Sequence, residues 1–480
     1  MKLLIVYILL LLYSTTVISQ EPRFSWGEKI KRNFGQLENM KIVGVDEDGF
    51  FTTYQVNKQI TLEHYSPQNR RFWTTALLPK TPDGHDAAFE SVKMINENLF
   101  MFSSTASEGI TRVYVQKIHH NGNYEPTIAV LAQSPEEGNI LLATSANDAA
   151  LAILITGPEN HSLTLLTNEL SRRWRRSVPA KGDVEDLLVQ NDGTTYLLLQ
   201  APAAAPATTA YHLYKFERQT GNSSELVLGN INYRPLRAKL AATPDGHVLV
   251  TGFMSPSNSV ASQNPEPVGT FLYRLEKHNL QSMLTSYTPF TKSFTTEYKR
   301  FKPDFDNSQR LRNLHLDKVI QDKDGSLYLL GEVCITENRA GTLVYHNNDI
   351  IITRLQQDGS MAFTISINKL QSGINKQNTI RSYFSAIVDD TLRLLYLNFE
   401  YNFKPDAHIA LSGHTSTLKT PVIVNVHANG TYKATPLYRT LTGRDYGFYL
   451  RPGSAFKVTD KKYIVIGMGP EFYRYGQMSF

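Results

Sequence analysis

The chain is predicted to be all-β, one four-stranded antiparallel unit repeated around a closed ring, and three observations carry that prediction. Short turns ending in Asp-Gly or Asn-Gly recur between runs of alternating apolar residues, the strongest local signal of a β-hairpin. The hairpins are of two kinds, and both recur throughout the chain. Helical periodicity is nearly absent. Composition agrees: 41% of the 480 residues are hydrophobic and 19% charged, with 25 Tyr and 23 Phe, as suits an ordered, β-rich chain with a large core.

The turns are DEDG (46–49), HHNG (119–122), QNDG (190–193), TPDG (243–246), DKDG (322–325), QQDG (356–359) and HANG (427–430). In one kind a run such as AKLAA (238–242) or LDKVI (316–320) precedes the turn, and a strongly apolar run such as HVLVTGF (247–253) or SLYLLGEV (326–333) follows it. These are strands A and B, the inner pair. In the other kind TRVYVQKI (111–118), IITRL (351–355) or VIVNV (422–426) leads into a more polar run such as NYEPTIAV (123–130) or SMAFTISI (360–367). These are strands C and D, the outer pair.

Inner hairpins number eight: KIVGVDEDGFFTTYQV, SVKMINENLFMFSS, NILLATSANDAALAILIT, DLLVQNDGTTYLLLQ, KLAATPDGHVLVTGF, KVIQDKDGSLYLLGEV, SAIVDDTLRLLYLNF and SAFKVTDKKYIVIGMG. A four-stranded unit recurring about every 45 to 50 residues early and about every 70 later predicts an eight-bladed β-propeller, in which each blade buries its faces only against its neighbours. Seven blades is the alternative, if irregular later units merge. One all-β sandwich, or two, would not explain a single four-strand pattern recurring throughout.

The chain opens with Lys2, an apolar run from Leu3 to Leu12, and Val17, Ile18 and Ser19, a small-residue boundary. Residues 1–19 read as a signal peptide, too short to span a bilayer, with an uncleaved anchor as the alternative. Residues 20–480 then form a single propeller domain. No later stretch is long and apolar enough for a membrane span, so the expectation is export to a periplasm, a cell surface or the medium. PRFSWGEKI (22–30) resembles a D strand with nothing before it to pair with. RRFWTTALLP (70–79) and SRRWRRSVP (171–179), in D positions, share its basic residue and its tryptophan. Trp26, Trp73 and Trp174 are the three tryptophans of the chain. The last unit, ending in EFYRYGQMSF, lacks a D strand, so residues 22–30 are expected to complete it and close the ring.

In such a ring the A–B and C–D turns lie on one face, and the B–C and D–A connections on the other. The insertions belong to the second class: APAAAPATTA (201–210), MSPSNSVASQNPEPVG (254–269), ITENRAGTLVYHNN (335–348) and residues 400–420 between B and C, and residues 289–313, 371–379 and 438–453 between D and A. Long loops concentrate function, which nominates that face. APAAAPATTA reads as a solvated spacer. The 289–313 and 438–453 segments interleave aromatic with basic residues, and the expected ligand- or partner-binding set is Tyr298, Arg300, Phe301, Arg439, Arg444, Asp445, Tyr446 and Tyr449. Aromatics and Arg concentrate binding energy, and rings with charged groups also suit a glycan. The other reading of the aromatics is that they fold these loops down onto the disc.

No metal signature is present: His119 and His120 are adjacent on the chain, and His408 and His414 share a loop with Asp406 alone. Cys334 is the only cysteine, which excludes an intrachain disulfide, and it reads as a small buried hydrophobe. No phosphate loop, nucleophile elbow or EF-hand is found, no cofactor is expected, and a formal charge of +5 is too dilute to imply nucleic acid. Glu297, Asp304, Asp306, Asp406 and Asp445 offer carboxylates for a glycosidase without selecting a pair. By blade pattern and split last blade, residues 22–480 resemble secreted β-propeller proteins. They lack the Trp-Asp endings of WD40 repeats, the Ser-x-Asp-x-Gly-x-Thr-Trp boxes of sialidases and the tryptophan motifs of quinoproteins. The resulting expectation is an exported binding or scaffolding module for a protein or glycan. The alternative is a polysaccharide-active hydrolase or lyase using carboxylates on the same face.

Overall fold

The computed structural model describes residues 21–31, 38–202, 204–258, 265–300, 311–373, 382–399, 419–437, 449–469 and 471–480. Residues 1–19, expected from sequence to be a signal peptide, lie outside them. Eight antiparallel sheets follow one another along the chain, each ordered A-B-C-D from the axis outward, as in an eight-bladed β-propeller. The first blade is Glu38–Val45, Phe50–Val56, Gln59–Tyr65 and Arg71–Leu77. The innermost strands of blades 2 to 8 are Ala88–Ile95, Asn139–Thr144, Asp183–Val189, Tyr233–Ala242, Leu314–Gln321, Tyr383–Val388 and Tyr449–Thr459.

Apolar residues at alternate positions face the two neighbouring blades, so the core is divided into eight clusters, one at each junction. Leu165, Trp174, Leu197 and Phe216 fill the junction of blades 3 and 4, and Phe50, Tyr65, Ile466 and Tyr475 that of blades 8 and 1. A blade by itself has no closed core.

The turns have the chemistry their sequences demand. In DKDG, Gly325 sits at φ 79° and its amide donates to Asp322 O at 3.0 Å, the type I turn with a left-handed fourth residue that joins strands through a bulge. Gly221 shows why glycine is needed. At φ 66°, a Cβ there would stand 2.6 Å from Trp174 Cδ2. The Trp174 indole packs on the C–D turn of the next blade and donates to Arg218 O at 3.2 Å, and Trp73 does the same to His120 O at 2.7 Å.

The N-terminal strand closes the ring. Arg23–Trp26 pairs antiparallel with Phe472–Ser479, and Ile30–Lys31 pairs further along the same strand. Three side-chain bonds continue the closure into blade 1: Tyr475 Oη donates to Thr52 Oγ1 (2.9 Å), Tyr473 Oη to Glu63 (3.3 Å) and Gln477 Nε2 to Pro67 O (2.7 Å). Trp26 occupies the expected slot but points the other way from Trp73 and Trp174. Its register partner is Gly476, which shares a face with Met478, so the indole packs backward onto the junction of blades 7 and 8.

Two insertions are more regular than the sequence suggested. Residues 335–348 form no loop. Strands Leu327–Arg339 and Thr342–Leu355 stay paired out to Arg339 and Thr342, making a β-arm that extends the middle of blade 6. Its β-branched and aromatic residues suit a strand, and Ala340 and Gly341, at φ 50° and 85°, close its tip. In the 289–313 segment Lys292–Arg300 is a helix whose first turn is capped by Thr291, which accepts the Phe294 amide at 3.3 Å.

Candidate functional site

The B–C/D–A face is organised around blades 5 to 7. The helix Lys292–Arg300 turns one stripe inward, Phe294 and Tyr298, four residues apart. With Phe290, Leu311 and Leu314 they join the core between blades 5 and 6. The Tyr298 hydroxyl donates to Asp349 Oδ2 at 3.0 Å in a buried position. The opposite side of the helix, including Lys292, Ser293 and Glu297, is exposed.

The β-arm is fastened at its root by a buried polar network. Lys369, fully buried on the D–A connection, pairs with Glu332, which is 2% exposed, at the end of strand B. The Lys369 ammonium also donates to Asn347 O (2.9 Å) and Gln371 Oε1 (3.2 Å), and Gln371 Nε2 donates to Leu397 O (2.7 Å) in blade 7. Every polar group in that chain has a partner, as burial requires. Gln371–Gly373 then adds a short strand to the arm, pairing with Tyr345–Asn347. Cys334 is half-buried within this network, donating to Glu332 Oε2 (3.4 Å) and accepting from Asn347 Nδ2 (3.3 Å). Burial, with Glu332 and Asp317 nearby, pushes its thiol pKa up, away from a reactive thiolate.

Beside the network, Asp317 accepts a hydrogen bond from Tyr383 Oη at 2.9 Å. Burial first, and the charge of Glu332 second, push the Asp317 carboxyl up to about 6. Lys318, one residue on, is held below its usual range by burial, and it donates to Ser385 Oγ at 3.1 Å.

Beyond the network the arm is open. Strand A of blade 6 pairs with strand B only as far as Val333, so among the described strands one edge of residues 335–339 pairs with nothing. Thr336, Asn338, Arg339, Thr342 and Leu343 are exposed there. Arg339 pairs with Glu337 on the same strand through Nε (2.9 Å) and Nη2 (2.7 Å).

Of the residues predicted from sequence, Tyr298 is buried, 6% exposed, and serves to hold the helix down. Arg300 ends that helix, and its side chain lies outside the described residues, as do Phe301, Arg439, Arg444, Asp445 and Tyr446. Tyr449 opens strand A of blade 8, half-buried against the cluster between blades 7 and 8. Sequence reasoning missed the network of Asp317, Glu332, Lys369 and Tyr383. Its signal was present as charge inside otherwise apolar inner strands, LHLDK at 314–318 and LGEV at 330–333. Among the described residues no group of three or more ligating side chains forms a metal site, and no helix is long and apolar enough to cross a membrane.

No protein-family model matches the chain, and no curated protein matches it. Solved structures do. The chain is similar to the Dos1 propeller (8% identity, TM-score 0.46, 95% of each chain covered). It is also similar to YCF48 bound to D1 peptide (10%, 0.36, 94% of each). A third likeness is to catalytically inactive virginiamycin B lyase from Staphylococcus aureus with quinupristin (9%, 0.35, 84% of this chain and 98% of that one). At such identities the likeness concerns the fold alone.

Proposed function

We propose that the chain is an exported binding or scaffolding module, and that it recognises a protein partner through the B–C/D–A face, with the β-arm of blade 6 as the principal contact. The observation that supports this reading is the arm itself. A two-stranded projection, fastened at its root by Glu332 and Lys369, presents an edge that pairs with no described strand. Main-chain donors and acceptors on such an edge suit the addition of a strand from another protein. Of the carboxylates named for the polysaccharide-active alternative, Glu297 is exposed on the helix and Asp304, Asp306, Asp406 and Asp445 lie outside the described residues.

The test replaces residues 335–346 by a two-residue Gly-Asn turn and compares capture from envelope and medium with that of the wild type. The variant is expected to keep its far-UV spectrum and lose a protein partner. Glycan recovered in place of protein would move recognition to carbohydrate, and identical recoveries by the two proteins would refute the arm as a contact.

A further inference from the structure

The outermost strands of the blades form the rim of the disc, and seven of the eight carry little positive charge. Arg71–Leu77, Tyr124–Ser134, Ser223–Leu228, Ser282–Pro289, Met361–Ile367, Tyr432–Pro436 and Arg23–Trp26 each hold one lysine or arginine at most. Arg172–Pro179, in blade 3, holds four: Arg172, Arg173, Arg175 and Arg176. Cations blunt a sheet edge against stray strands, but the rest of the rim does this with one or none, so edge protection does not account for four. A run such as RRWRR is the kind that marks a patch for acidic polymers.

The fold adds a fifth arginine and gathers the set around one turn. A Cβ on Gly193 would stand 2.8 Å from Arg173 Nη1 and 3.6 Å from Arg218 Cβ, so these two side chains meet over the A–B turn of blade 4. Arg176 is held against the C–D turn of that blade, donating from Nε to Gly221 O (3.1 Å) and from Nη2 to Thr220 O. Arg175 Nε donates to Ser162 Oγ at 3.2 Å. Arg172, Arg173, Arg176 and Arg218 are exposed, and Arg175 is half-buried. Among the described residues none of the five forms an ion pair. The carboxylates on the adjoining turns are Glu169, exposed, Asp192, which accepts the Thr194 amide (2.8 Å), and Glu217, which accepts the Thr220 hydroxyl (3.4 Å). Positive charge is therefore in excess here, and fixed guanidinium groups suit sulfate and carboxylate oxygens.

We infer that the rim of blade 3, with Arg218 of blade 4, binds an acidic polysaccharide whose sulfate or carboxylate groups lie along Arg172, Arg173, Arg176 and Arg218. Charge complementarity selects an anion, and the buried rings select the class. Trp174 is 5% exposed and Val178 is 2% exposed, so the strand offers no ring for a base to stack on, no apolar side chain to insert into a lipid surface, and no anchor of the kind that dominates protein interfaces. The site is separate from the β-arm, so it stands or falls independently of the partner proposed there.

Titration calorimetry on the full-length chain at low salt tests it. The probes are a heparin oligosaccharide, bearing sulfates and carboxylates, and an oligogalacturonate, bearing carboxylates alone. Saturable binding of at least one is expected, weakening as salt is raised; binding of both would assign carboxylate recognition, and of heparin alone sulfate recognition. Arg172→Gln/Arg173→Gln/Arg218→Gln should weaken it by at least about tenfold. The matching triple lysine variant, which keeps the charge, should bind more tightly than the glutamine variant. Arg70→Gln/Lys433→Gln, exposed cations of blades 1 and 7, should bind as wild type. Absence of binding by both probes would overturn the inference, as would a smaller loss in the glutamine variant or an equal loss in the control. Equal losses in the glutamine and lysine variants would trace the effect to the turn rather than to charge and overturn it too. Duplex DNA or anionic lipid vesicles bound as tightly as the better oligosaccharide would overturn the assignment to polysaccharide.

Discussion

If the N-terminal strand is what closes the ring, Trp26→Ala should weaken the whole molecule by an amount the structure sets. The indole is half-buried, lies nearly parallel to Phe24 with ring centres 6.0 Å apart, and covers Gly476, where an added Cβ would approach Trp26 Cε3 to 2.6 Å. Taking half of a tryptophan's roughly 200 to 250 Å² out of water at about 25 cal/mol per Å² gives about 2.5 to 3 kcal/mol. Trp174 is a built-in comparison. It is 5% exposed and donates to Arg218 O, so Trp174→Ala should cost about 4 to 5 kcal/mol. Because removing a tryptophan alters emission, urea unfolding is best followed by far-UV circular dichroism. Both variants should shift the midpoint with an unchanged slope, since the same surface is exposed on unfolding. Deleting residues 20–32 should cost more than Trp26→Ala and induce concentration-dependent association, because it bares the edge of Phe472–Ser479. A Trp26→Ala midpoint within about 0.5 kcal/mol of wild type, or a larger loss than for Trp174→Ala, would refute this account of closure.

Two further outcomes follow from other features. Gly221→Ala combines a left-handed backbone with a contact on Trp174 and should cost about 2 to 4 kcal/mol. Gly341→Ala at the arm tip, at φ 85° with nothing within 4 Å of the added Cβ, should cost about 1 to 2 in the same urea titrations. Asp317, raised from 3.8 to about 6, binds its proton more tightly in the folded than in the unfolded chain. Its favourable contribution is present below about pH 4 and is lost as pH rises through about 6, up to about 3 kcal/mol. Asp317→Asn should remove that loss, giving a variant more stable than wild type at pH 7.5 and no more stable at pH 4; equal stabilities at both pH values would contradict it.

The blades were legible because their determinants are local. Period-two alternation sets each strand, and Asp-Gly or Asn-Gly marks seven of the turns, so all eight inner hairpins and the slot of residues 22–30 are readable from the chain. The orientation of Trp26 was not, because a shift of one residue in register turns a side chain to the other face, and matching tryptophan to tryptophan ignores that parity. The arm was hidden by its length: a strand running from Leu327 to Arg339 overshoots its blade, and residues beyond the expected blade edge look like loop. The Glu332–Lys369 pair joins positions 37 residues apart, which no local pattern connects. Most of the expected partner-binding side chains, Arg300 and Phe301 through Tyr446, lie outside the described residues, and Tyr298 took the structural role of folding its segment onto the disc.

Segregation of long insertions to one face also has a cause that is independent of function. On the A–B/C–D face, neighbouring blades are tied turn to turn. Asn147 N donates to Asn191 Oδ1 (3.1 Å), Gln190 Nε2 to Gly246 O (2.9 Å), and the Trp73 and Trp174 indoles to His120 O and Arg218 O. Since each core cluster lies between blades, lengthening one of those turns would disturb a junction as well as a hairpin. The B–C and D–A connections are tied between blades as well, Arg234 donating to Ala205 O (2.7 Å) and Pro202 O (2.8 Å) and Gln371 Nε2 to Leu397 O (2.7 Å), but a longer loop in itself adds little entropic cost. Loop length alone therefore cannot nominate a binding surface in this fold. What blade 6 adds is an insertion that forms a paired β-arm with its root fixed by a buried ion pair. Burying Glu332 and Lys369 demands a full set of compensating hydrogen bonds, and a spacer would need neither the pair nor the bonds. That buried, fully bonded root is the physical reason to look for the partner at the arm before any longer connection.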